Sequence, residues 1–221
     1  MSHITSGKPK GRWSINYGKT TKKRGQQMKV SLNIPWNRYG LIAEIAFRLK
    51  DRSFPQFGKT ILQKMVFLLQ EAYGIPCDYQ FDLYTFGPFT SQLLQDLDLV
   101  ETLGGVKVYP VISGLGGYHI VPGEKNDALR EKAKDFLQDT KVSRAIDTLL
   151  EEFGSFNAKE LELISTIIYV NRDMKTITRD KMVEVVNGLK PKFSRDEIHE
   201  AIGKLEARHI EFHYNDNAIK L

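Results

Sequence analysis

The sequence predicts a mainly α fold with small β-hairpins (α+β), arranged as winged-helix-like units, two of them in tandem and joined by helices. Three observations predict it. Apolar residues recur at three- and four-residue steps over most of the chain after Pro35. Runs that alternate aromatic with polar residues are short and bounded by Gly or Pro. The order of three helices followed by a hairpin occurs twice, over residues 35–122 and 157–221, with connecting helices over 123–156. The two copies share element order but no sequence repeat, and the first carries an extra extended segment between its second and third helices.

Residues 1–34 are rich in Gly, Ser, Thr and Lys, and Trp13, Ile15 and Tyr17 show no period that could bury a face. They are expected to form a basic disordered tail. Met28 opens a more ordinary stretch, so the residues before it read as an upstream extension or a targeting leader, although such leaders favour Arg over the Lys found here.

Pro35 suits a helix start, and Trp36, Tyr39, Ile42, Ile45, Ala46 and Leu49 follow on one face. A second helix is expected from Lys59 to Tyr73, with an apolar face wide enough for the middle of a core and a stop at Gly74 and Pro76. YQFDLYTFGPF reads as an extended segment stopped by Gly87 and Pro88. Thr90 or Ser91 caps the next helix, which runs to Gly104. VKVYPVIS, a GLGG turn and YHIVP then form a hairpin. Further helices are expected over 124–138 and 142–153, from an Asn157 cap, from Thr178 to Gly188, and from a Ser194–Glu197 capping box. A terminal hairpin turning at Asn215–Asn217 closes the pattern.

Charge is segregated along the chain. Residues 1–43 hold nine basic and no acidic residues, and the remainder carries −4, which gives the net +5. No apolar run reaches bilayer length and no secretory h-region opens the sequence, so no membrane association and a cytoplasmic setting are expected. The single cysteine, Cys77, permits no internal disulfide.

Two Gly-Lys-Thr triplets invite a nucleotide-loop reading. That loop needs an earlier Gly, where this chain has Ser53 and Trp13, and a buried strand, where residues 45–52 read as a helix end. A helix N-terminus with Lys59 as a first-turn residue fits better, with Phe54 and Phe57 beside the core. HIEFH at 209–213 is not a zinc-protease pattern, and on a strand its histidines would stand roughly 13 Å apart, too far for one ion. His119, on a strand, reads as packed. Asp96 and Asp98 point to different sides of a helix, and Cys77 has no neighbouring base. No metal, cofactor or catalytic residue is predicted.

LQKMVFLLQ at 62–70, DYQFDLYTFGPFTSQL at 78–93 and LELISTIIYV at 161–170 together resemble the YwgA-like family of uncharacterised prokaryotic proteins. More distantly they resemble the Panacea domain of SocA-type antitoxins, although FGPFT fits the first family better. The resemblance covers residues 36–221 and implies a compact helical protein of winged-helix character with no established catalytic residues. Gly87 and Pro88 read as structural, Gly87 permitting a turn and Pro88 starting a helix.

These readings point to a non-enzymatic regulatory binding protein, with nucleic acid as the first partner. In a winged helix the third helix reads the groove, yet the first such helix here carries Asp96, Asp98 and Glu101 and no cation. In the second, Arg195, Lys204 and Arg208 face Asp196, Glu197, Glu200 and Glu206. Affinity is therefore assigned to the tail, through Lys8, Lys10, Arg12, Lys19, Lys22, Lys23 and Arg24, with Trp13 available for stacking and Arg195, Lys204 and Arg208 as the contribution of the folded part. Such binding is salt-dependent and of low sequence specificity. The alternative is an antitoxin-like or adaptor module whose acidic helices meet a basic protein. A homodimer fits either reading.

Overall fold

In chain order, α1 (Trp36–Leu49) and α2 (Lys59–Glu71) lead to a hairpin of β1 (Asp82–Tyr84) and β2 (Gly87–Phe89). Then come α3 (Ser91–Thr102) and a second hairpin of β3 (Val106–Pro110) and β4 (Tyr118–Pro122). The helices α4 (Asn126–Lys132), α5 (Lys134–Leu137), α6 (Thr140–Phe153), α7 (Ala158–Asp173), α8 (Arg179–Leu189) and α9 (Arg195–Glu206) follow. This is a computed structural model, and it describes residues 34–51, 56–112, 114, 116–174 and 178–212. The chain divides into two units, Met1–Ile34 and Pro35–Leu221, and every described residue but Ile34 belongs to the second. The fold is mainly helical with two small antiparallel hairpins.

The centre is set by helices with long buried runs, of which residues 39–46 of α1 form one. Residues 61–69 of α2 and 161–168 of α7 are buried without interruption, so each is covered on all sides, as a core helix must be. They pack on each other, with the Phe67 and Tyr169 rings stacked at 6.3 Å. The helices over 123–156 are more than connectors. Leu129, Ile146, Leu149 and Phe153 join the same core, and Asn126 Nδ2 donates to Ala43 O at 3.0 Å and Gly105 O at 2.8 Å. The helix expected over 124–138 is broken at Ala133, where α1 passes so closely that a Cβ on Gly40 would lie 2.2 Å from that of Ala133.

Several caps follow the sequence closely. Asn157 and Glu160 form one capping box, Ser194 and Glu197 another, and Thr178 accepts from Lys181 N. Phe57 is buried, while Phe54 lies outside the described residues. The Gly-Lys-Thr at 58–60 has a packing explanation. Ile120 N donates to Phe57 O at 2.8 Å, so the residues entering α2 run beside β4, and a Cβ on Gly58 would stand 2.5 Å from Tyr118 O. Glycine is required by that close approach, and Lys59 Nζ sits 4.2 Å from the Tyr118 ring centroid.

Three expectations need correction. Gly87 and Pro88 do not stop a strand, and Pro88 does not start a helix: they pair back as β2, in register Tyr84↔Gly87 and Leu83↔Pro88. Pro88 is tolerated there because a strand of a two-stranded hairpin can spare its missing N–H. His119 is exposed rather than packed, opposite Tyr109 on the outer face of β3–β4. Ile210–Phe212 carries no strand, and His209 adopts φ 58 in the turn after α9. The hairpin expected at Asn215–Asn217, and His213, lie outside the described residues.

Candidate functional site

The hairpin β1–β2 is fastened to α2 at both ends. Gln63 and Gln70 lie seven residues apart, about two turns, and so share a face. Gln70 accepts from Tyr79 N and donates to Tyr79 O, each at 3.0 Å. Gln63 does the same for Thr90, accepting at 3.1 Å and donating at 2.7 Å. Each amide satisfies one residue's backbone as a neighbouring strand would. Between them Gly87 takes φ 86, and a Cβ there would lie 3.2 Å from both Lys64 Cε and Ser165 Oγ. Both the conformation and the narrow gap call for glycine.

Behind the hairpin sits a buried charge cluster. Lys64, 2% exposed, donates to Pro88 O at 2.6 Å. Lys190, 5% exposed, donates to Tyr84 O at 2.7 Å and Thr85 O at 2.5 Å, and lies 3.3 Å from Glu162 Oε1. Lys192 donates to Glu162 Oε2 at 2.7 Å. Two ammonium groups, those of Lys190 and Lys192, therefore share one carboxylate, whose charge is also felt at Lys64. Loss of solvation pushes the Lys64 amine down to about 7, aided by Lys190 and opposed by Glu162.

This shift has a consequence for stability. Below about pH 7 Lys64 is charged whether the chain is folded or not, and the cost of burying it is fully felt. Between about 7 and its ordinary 10.5 the unfolded chain holds a proton that the folded one has released, so this group makes stability rise with pH. The buried Cys77 thiol, pushed up to about 12 by burial and then by Asp78 and Glu71, acts in the opposite sense above about pH 9. Lys64→Met removes only the first effect. In urea unfolding at pH 6.5 and 9.5, wild type should gain about 2–3 kcal/mol relative to Lys64→Met on going to the higher pH.

On the outside, the hairpin tip divides two hollows. One, of about 600 Å³, is walled by Tyr84, Thr85, Leu189, Lys190 and Lys192. The other, of about 340 Å³, is walled by Tyr84, Thr85, Phe86, Lys59, Lys64 and Leu94 among others. No Asp or Glu lines either hollow; Asp82, which opens β1, borders neither. Tyr84 and Phe86 stand out from the ridge, 63% and 61% exposed. The ring of Tyr84 leans on Phe89 at 5.4 Å, and the Lys192 ammonium lies 5.7 Å from that of Phe86. The result is a cationic, aromatic saddle on a part of the chain whose charge sums to a negative value.

The residues expected to bind nucleic acid do not assemble at this saddle. Lys8, Lys10, Arg12, Trp13, Lys19, Lys22, Lys23 and Arg24 lie outside the described residues. On α9, Arg195 is exposed at the first position and Lys204 pairs with Glu200 at 2.7 Å. Arg208 donates to Lys204 O and lies 5.5 and 5.7 Å from the Phe153 and Phe156 rings, so it serves packing. The acidic helices are also largely engaged. Asp96 is buried against Arg38 and Tyr79, Glu101 accepts from Val108 N, and Glu206 pairs with Arg179 at 2.9 Å. Arg38, counted with the basic leader, is thereby neutralised.

Sequence reasoning read Lys59 only as a first-turn residue and passed over Lys64, Glu162, Lys190 and Lys192. A signal was present for two of them: Lys64 lies three residues after Ile61 and four before Leu68, and Glu162 stands between Leu161 and Leu163. A charge on a fully apolar helix face must find a buried partner. Among the described residues no group of acidic, histidine or cysteine side chains could hold a metal ion, and no helix is long and apolar enough to cross a membrane. Comparison of the chain with protein-family models and with curated proteins gave no match.

Proposed function

We propose that this chain is a non-enzymatic regulatory binding protein of the cytoplasm that associates with nucleic acid through its basic leader. The observation that carries the reading is charge segregation: residues 1–34 hold eight cations and no acid, while the remainder is net negative and its Lys204 and Arg208 are occupied by Glu200 and by aromatic packing. A leader of that composition tracks phosphates without reading bases. The acid-free saddle adds a second positive surface on the folded part. The buried, high-pKa Cys77 thiol is protonated at neutral pH, which supports a binding rather than a nucleophilic role. The resemblance to the YwgA-like family agrees with this reading, since it brings no catalytic residues.

Fluorescence anisotropy on a labelled 20-base-pair duplex, titrated with salt, tests the proposal. With about six cations engaged, log affinity should fall against log salt with a slope of roughly −5. A chain beginning at Met28 should bind at least about tenfold more weakly at low salt, with a shallower slope. Equal affinity and equal slope for the two chains would refute the role of the leader.

A further inference from the structure

We infer that the saddle over the β1–β2 tip is a platform for single-stranded nucleic acid, on which unpaired bases stack against Tyr84 and Phe86 while Lys59 and Lys192 meet the flanking phosphates. The inference rests on the nucleic-acid reading above and assigns it a second site, distinct from the leader.

Three features converge on that class of ligand. First, two aromatic rings two residues apart on a tight hairpin tip keep 63% and 61% of their surface exposed, although each already has a neighbour on one side. Rings so placed offer a π-face to a base and need no base-specific hydrogen bond. Second, the lining is cationic on balance. Lys192 pairs with Glu162 yet is 46% exposed at its side chain, Lys59 is half-buried, and Lys190 adds positive charge from beneath, against the single buried carboxylate of Glu162. Third, the hollows are open and set on both sides of a ridge. A strand draped across it can place a nucleotide in each, whereas a duplex has its base faces covered and can offer only its backbone to the ridge. An acidic peptide shares the charge but gains nothing from two protruding rings that faces of bases would not supply better.

The saddle is also rigidly built. Lys190 grips the carbonyls of Tyr84 and Thr85, Lys64 grips that of Pro88, and Gln63 fixes Thr90, so the tip is presented in one conformation. A ligand therefore meets a site that needs little ordering on binding.

Anisotropy with a labelled 15-nucleotide oligothymidine and with a 15-base-pair duplex separates the two sites in the full chain. Wild type should prefer the single strand. Tyr84→Ala with Phe86→Ala should weaken single-strand binding by about tenfold per ring and leave duplex binding within about twofold. Should the alanine pair disturb the fold, Tyr84→Leu with Phe86→Leu keeps the apolar contacts and removes the rings, and the same selective loss is expected. Removal of residues 1–27 should lower both affinities and preserve the preference for the single strand. Unchanged single-strand binding in the ring variants, or equal losses on both probes, would overturn the platform while leaving the leader's role intact. Displacement of the oligothymidine by a polyglutamate peptide at equal or lower concentration would overturn it in favour of an acidic protein partner.

Discussion

Replacing Glu162 with glutamine is expected to destabilise the folded chain by about 3–5 kcal/mol, the range seen when one member of a buried ionic cluster is removed. The side chain is 3% exposed and its two oxygens face Lys190 at 3.3 Å and Lys192 at 2.7 Å. Glutamine keeps the shape but leaves the buried Lys190 ammonium with the carbonyls of Tyr84 and Thr85 alone, and Lys64 loses the one attraction that favours its charged form. Chemical denaturation at pH 7 measures the loss. A double replacement, Glu162→Leu with Lys190→Met, should cost much less than the sum of the two single changes, because it removes both charges together. If Glu162→Gln costs under about 1 kcal/mol, water reaches the cluster and the tip is only loosely held.

The second large effect is expected at Asp96. Its carboxylate accepts the Tyr79 hydroxyl at 2.7 Å and faces Arg38, with Nε at 2.9 Å and Nη2 at 3.2 Å. Tyr79 is 2% exposed and Asp96 4%, and the guanidinium also lies 5.0 Å from the Tyr79 ring centroid. Asp96→Ala strands a buried hydroxyl and half of an ion pair, for a loss of about 3 kcal/mol. Asp96→Asn retains an acceptor for Tyr79, and Arg38, 17% exposed at its side chain, can turn part of its charge to water, so about 1–2 kcal/mol is expected. Thermal unfolding of the two variants beside Tyr79→Phe gives the order alanine, asparagine, phenylalanine from most to least harmful. An asparagine variant as unstable as the alanine one would assign the loss to charge rather than to the stranded hydroxyl.

The helices were legible because their caps and periods are local. Asn157, Thr178 and Ser194 each announce a helix within three residues, and the structure starts one at each. The β1–β2 hairpin was legible only as extended chain, because its second strand, Gly87–Phe89, exists through partners far away: Lys64 on one helix and Ser165 on another. The break at Ala133 depends in the same way on Gly40, ninety-odd residues earlier in the chain. The saddle was hidden for a further reason. Lys190 reaches Tyr84 across 106 positions, and no spacing rule joins two residues that only the tertiary packing of the hairpin and α8 around α7 brings together. What could be read was the anomaly itself, a lysine and a glutamate set into two of the most apolar stretches of the chain.

Photocrosslinking of the full chain to an oligothymidine carrying 4-thiothymidine, followed by peptide mapping, tests the nucleic-acid account most directly. The account predicts adducts on Tyr84 or Phe86 together with adducts in residues 1–34. Adducts confined to α9, around Arg195 and Lys204, or an absence of adducts at both expected places, would contradict it.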